Sequence, residues 1–143
     1  MNQKIAASRK PRDRKGAAAV EFALTAPIFV VLLFAALEFS RVNMVRNTIE
    51  TAAYEGTRRG IVPGAAASDV ETAAMDTLAA AGVRGSTVDV DPPTITDDTP
   101  EVTVTVTVQL MDNFWCAPIY FSSGTISSSL TMPRERTDMV NVP

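Results

Sequence analysis

The chain has no histidine and a single cysteine, Cys116, among 143 residues. No disulfide can form within one copy, no paired thiolate–imidazole metal site can be built, and imidazole acid–base chemistry is excluded. No glycine-rich phosphate loop or serine-elbow motif is present either. The carboxylates that remain as candidates are Asp89, Asp91, Asp97, Asp98 and Asp112. An Asp-rich stretch at 89–98 offers oxygen ligands for a hard cation such as Ca²⁺, but its spacing matches no EF-hand. Pro92, Pro93 and the threonines around them read as a solvated turn. No catalytic constellation, metal or cofactor is therefore expected, and the protein reads as non-enzymatic. Cys116, between Trp115 and Ala117, reads as a small buried hydrophobe, with an intermolecular disulfide as its alternative.

Charge is also missing, over one long stretch. Residues 17–37 read AAAVEFALTAPIFVVLLFAAL, 21 residues whose only charge is Glu21. At 1.5 Å per residue such a helix spans about 31 Å, close to the hydrocarbon thickness of a bilayer. Before it, residues 1–15 hold six basic groups (Lys4, Arg9, Lys10, Arg12, Arg14 and Lys15) against Asp13, a net of +5. The other 128 residues hold fifteen acids against seven arginines, a net of −8. A basic stub could bind nucleic acid. Directly before an apolar run it reads instead as a positive-inside signal, so no nucleic-acid partner is expected. The N-terminus would then lie in the cytoplasm and residues 38–143 on the far side of the membrane.

A cleaved secretory signal competes with a retained anchor. The unbroken apolar part, residues 22–37, is longer than the usual signal core, and the Glu38-Phe39-Ser40-Arg41 that follows has no small-x-small cleavage pattern. Retention is favoured. Pro27 sits inside the span, where a membrane helix tolerates it with local bending near 23–27. Glu21 has two readings. Four residues inside the span, its carboxylate can snorkel to the headgroups. If the chain were instead cut after Gly16, the new ammonium on Ala17 would be the nearest opposite charge, in the same copy or a neighbouring one.

Lys15-Gly16 followed by Ala17-Ala18-Ala19-Val20-Glu21-Phe22 resembles the processing site of type IV pilin-like precursors. Around it, RKGAAAVEFALTAPIFVVLLFAALEFSR is similar to the TadE-like pseudopilins of tight-adherence (Flp-type) pilus systems. TAAYEGTRRG at 51–60 and SSSLTMPRER in the C-terminal region, spanning Arg134 and Arg136, resemble them as well. The resemblance implies a minor pilin-like subunit. A prepilin peptidase would cut between Gly16 and Ala17, residues 1–16 would be a leader, and Glu21 with Phe22 would serve assembly with other pilins or pilus-assembly subunits. It also implies a bacterial inner membrane, with residues 38–143 in the periplasm or otherwise outside the cytoplasm. The rival reading is a single-pass, signal-anchored protein whose extracytoplasmic domain binds something unrelated to pili.

Beyond the span, Phe39, Val42, Val45, Ile49, Ala52 and Ala53 recur at helical spacing, with Arg41, Arg46, Asn47, Glu50 and Arg58 largely on other faces. Gly60 and Pro63 predict the stop, so one helix over 17–59 is expected. Ser68-Asp69-Val70-Glu71 has the form of a capping box opening a second helix over 69–81, with Val70, Ala73, Ala74, Leu78 and Ala81 inward and Gly82 closing it. Strands are expected at 86–90, 101–111 and 125–132. EVTVTVTVQLM alternates with period two, a half-buried antiparallel strand that needs a neighbour on each side. Phe114, Trp115, Pro118, Ile119, Tyr120 and Phe121 form an aromatic cluster, read as a loop over the core or a patch for a neighbouring subunit. The expected class is α+β, pilin-like: a long helix, a short helix and three antiparallel strands whose valine face packs on the first helix.

Overall fold

The computed structural model describes residues 14–114 and 124–134. Five segments of regular backbone follow in order: helix α1 (Arg14–Gly60), helix α2 (Ala67–Ala80), and strands β1 (Ser86–Asp91), β2 (Glu101–Gln109) and β3 (Thr125–Pro133). A short 3₁₀ turn, Leu110–Asn113, follows β2. The fold is the expected α+β arrangement. Contacts divide the chain into two compact units, Met1–Phe34 and Ala35–Pro143.

In the first unit α1 is, from Gly16 on, apolar around its circumference apart from Glu21 and Thr25, and among the described residues no other element covers it. Val20, Phe22, Leu24, Ile28 and Phe29 are each at least 60% exposed, and none of the most apolar 18-residue window is buried. The helix runs on through Pro27. By length and hydropathy it is able to cross a membrane. A core helix of a soluble domain with this composition would be buried, and this one is not.

In the second unit the sheet has the order β1-β2-β3, both pairings antiparallel. The register sets Val104 beside Val90 on one side and Leu130 on the other. Alternation in β2 sends Val102, Val104, Val106 and Val108 to one face, and all four are fully buried. Each such burial contributes about 1.5–3 kcal/mol against an exposed chain. The opposite face carries hydroxyls that bond across the strands, Thr103 to Thr131 at 2.8 Å and Thr105 to Ser129 at 3.0 Å.

The valine face meets both helices. Val45, Ile49, Ala52 and Ala53 of α1 and Val70, Ala74 and Leu78 of α2 close one core with it. Two glycines set how closely these elements approach. A Cβ on Gly56 would stand 3.2 Å from the Ala74 Cβ, and one on Gly60 only 3.0 Å from Val102 Cγ1 and 3.1 Å from Val70 Cγ2. Here α1, α2 and β2 touch almost backbone to backbone.

Four expectations are corrected. Helix α2 opens at Ala66, not Ser68, because Asp69 Oδ2 accepts the Ala66 N–H at 3.3 Å. Only the acidic half of a capping box exists there, since alanine has no side-chain acceptor. Strand β2 ends at Gln109; Leu110 remains buried, but in the 3₁₀ turn. Phe39, placed on the inward stripe of α1 by its spacing, is 60% exposed, because the core begins only at Val42 and Val45. Arg41, placed outward, is half-buried and bonded to loop carbonyls. At the other end of α2, Gly82 does what its position implies. At φ +68° its N–H reaches Ala79 O (2.9 Å), while Val83 N–H reaches Leu78 O (3.0 Å), the paired bonds of a Schellman ending.

Candidate functional site

The candidate processing and assembly residues follow one another on the first turns of α1. Gly16, Ala17, Glu21 and Phe22 are all helical and all exposed, Phe22 at 72%. Nothing stands within 4 Å of where a Gly16 Cβ would be. Ala17 and Glu21 are four apart, so they share one face about 6 Å apart along the axis. Thr25 Oγ1 donates to the Glu21 carbonyl at 2.9 Å, one turn further on. Among the described residues the Glu21 carboxylate has no hydrogen-bond or ion-pair partner. The segment is thus an uncovered helix with one acid on an apolar surface. Such a surface can meet lipid or other helices.

No described element brings a second group to these residues. Among the described residues no three carboxylates come close enough to share a metal, and Asp89, Asp91, Asp97, Asp98 and Asp112 are all exposed. Lys15's side chain, Cys116 and the aromatics from Trp115 to Phe121 lie outside the described residues, as does the rest of the leader before Arg14. Phe114, the one described member of that cluster, is half-buried against the core.

Residues 16–58 match the family model described as TadE-like protein. The match begins at Gly16, runs through Glu21 and Phe22, and ends two residues before α1 does. It covers less than a third of the chain; α2 and the sheet lie outside it. No curated protein and no solved structure matches. The TadE-like segment is therefore α1 itself: the apolar span together with the amphipathic part that packs into the core. The matched segment contains the helix that is long and apolar enough to cross a membrane.

Sequence reasoning missed the polar groups that hold the second unit together. Asn113, 3% exposed, accepts the Arg84 N–H on Oδ1 at 2.9 Å and donates through Nδ2 to Arg84 O and Gln109 O, both at 2.8 Å. Arg41 Nε donates to Asn113 O at 2.8 Å. Arg134, 7% exposed, donates to Thr96 O and ties the β1–β2 connection to the end of β3, where its own N–H also bonds Pro100 O at 2.9 Å. Asp97, 96% exposed on its side chain, is a weak ion-pair partner to it at 3.8 Å. Arg134 stands inside the MPRER segment, whose resemblance was the one signal that it matters. Thr57, fully buried on α1, donates to Ala53 O at 2.6 Å and lies 3.3 Å from Leu130 O.

Proposed function

We propose that the chain is a minor pilin-like (pseudopilin) subunit that a prepilin peptidase processes and that takes part in assembling a tight-adherence (Flp-type) pilus. The observation that carries this is the TadE-like match, which starts at Gly16 and coincides with an apolar helix left uncovered. Cutting after Gly16 would place an ammonium on Ala17, one helical turn from Glu21. In lipid the two charges favour each other strongly, within one copy or between neighbours. The sheet unit, absent from the match, suits an accessory subunit better than a bulk filament subunit. The protein then has no catalytic role, and its partners are the bilayer of the bacterial inner membrane, the peptidase and other pilus subunits. Its N-terminus lies in the cytoplasm and its sheet unit outside.

The test is the mature N-terminus. Intact-mass analysis of membrane material, made with and without a prepilin peptidase, should give a chain starting at Ala17 only when the peptidase is present. A start at Met1 in peptidase-competent cells would sink the proposal and leave a plain signal-anchored protein.

A further inference from the structure

Arg41 fixes two turns of the second unit at one depth on α1. Its Nε donates to Asn113 O at 2.8 Å, and a terminal guanidinium nitrogen lies 3.5 Å from Gly82 O. Asn113 in turn grips Arg84 by both backbone groups. The turns around Gly82 and Asn113 are therefore held beside the first helical turn after the apolar run. Arg41 is four residues past Leu37, about 6 Å along the helix. The headgroup layer is itself about 5–8 Å thick on each side of the hydrocarbon.

This end of the unit exposes several large apolar side chains. Phe39 is 60% exposed, Met44 43% and Met111 53%; the exposed acid Asp112 follows Met111, and the exposed cation Arg84 is held by Asn113 through its backbone. Side chains of this size would be costly to leave in water, and no described element covers them.

We propose that this end of the unit rests on the bilayer surface, with Met111 entering the headgroup layer and the Arg84 guanidinium meeting lipid phosphate. The occupant is the phospholipid headgroups of the membrane that α1 enters, so the contact rests on the membrane-anchor reading. Depth argues for lipid, because Arg41 leaves these turns no more than one headgroup thickness from the hydrocarbon. Exposed apolar side chains also continue along α1 past the span, at Leu37, Phe39 and Met44. A guanidinium matches phosphate in charge and in its paired donors. Asp112 offsets part of that attraction, so Met111 supplies the larger part of the contact.

The full chain in vesicles of phosphatidylethanolamine and phosphatidylglycerol tests this. In a Cys116→Ser background, Met111→Cys or Ser68→Cys is labelled with an environment-sensitive dye, and the vesicles carry a headgroup-attached spin label. Ser68 is the reference because α2 starts beyond Gly60, nineteen residues or about 28 Å further along α1 than Arg41. Quenching at 111 should exceed that at 68 by at least about twofold, with a blue-shifted emission, and Arg84→Glu should lower it. Equal quenching at the two sites, in chains that float with the vesicles, would overturn the contact while leaving the anchor intact. Chains that do not float would overturn the anchor and this contact with it.

Discussion

Asn113 holds Arg84 as a neighbouring strand would, its side-chain amide accepting the Arg84 N–H at 2.9 Å and donating to the Arg84 carbonyl at 2.8 Å. That side chain thereby closes the turn between α2 and β1 against the end of β2, and the Asn113 backbone carbonyl accepts from Arg41 Nε of α1. Three elements meet on one residue.

Removing that amide leaves part-buried backbone groups of Arg84 and Gln109 without partners. Asn113→Ala is expected to destabilise the chain by about 2–4 kcal/mol, since each orphaned group costs roughly 1–3 kcal/mol. The denaturation midpoint of the purified chain in detergent measures it. Asn113→Asp should cost a comparable amount, because it keeps the acceptor for Arg84 N–H and loses both donor bonds. A variant with an unchanged midpoint would show that water replaces the amide at no cost.

Two glycines on α1 should respond in opposite ways to the same substitution. Gly60→Ala puts a methyl 3.0 Å from Val102 and 3.1 Å from Val70. Overpacking of this kind costs about 1–3 kcal/mol, more than the 0.5–1 kcal/mol that alanine gains over glycine in a helix. A net loss of stability is expected. Gly16→Ala meets nothing within 4 Å and should leave stability unchanged or slightly raised. Under the proposed processing it should nevertheless stop the cut, and the uncut chain would accumulate by mass. Normal cleavage of Gly16→Ala would remove Gly16 from the site.

The two faces of β2 can be told apart by exchanging shape-matched side chains. Val106→Thr places a hydroxyl in a fully buried position with no acceptor prepared for it, at a cost of about 1–3 kcal/mol. Thr105→Val, one residue earlier, gives up a surface bond to Ser129 and should change stability by no more than about 0.5 kcal/mol. Equal effects, read from denaturation midpoints, would contradict the register.

Much of this was legible in the sequence because periodicity reports burial directly. EVTVTVTV needs only the alternation of a strand to place its valines, and the apolar run from 22 to 37 needs only its length. Phe39 misled for a physical reason: its helical phase is near that of Val42, but the core starts about one turn later along α1. Arg41 misled for a related one. An arginine within a polar face reads as solvated, and nothing local shows that a carbonyl 72 residues away will come to its guanidinium. Asn113, Thr57 and Arg134 were illegible for the same cause, since their partners are set by tertiary approach and not by spacing. The candidate site was the reverse. Gly16, Ala17, Glu21 and Phe22 lie within two helical turns, so sequence alone could assemble them, and among the described residues nothing covers them.

That exposure makes Glu21 the residue on which the assembly proposal can fail most cleanly. Glu21→Gln removes a charge from an apolar helix without altering its shape, so membrane insertion should be kept or improved, because a mid-helix acid costs up to about 2.5–3.5 kcal/mol at the bilayer centre and less near its edge. No fold contact is lost, because the carboxylate has no partner among the described residues. Stability of the sheet unit should therefore match that of the parent chain. If Glu21 pairs with the ammonium of a processed neighbour, co-purification with other pilus subunits should fall by an order of magnitude, about 1.4 kcal/mol, in cells where cleavage still occurs. Restoring the charge with Glu21→Asp should recover part of it. Undiminished co-purification of the Gln variant would mean that snorkelling to the headgroups accounts for Glu21, and the acid would then have no part in assembly.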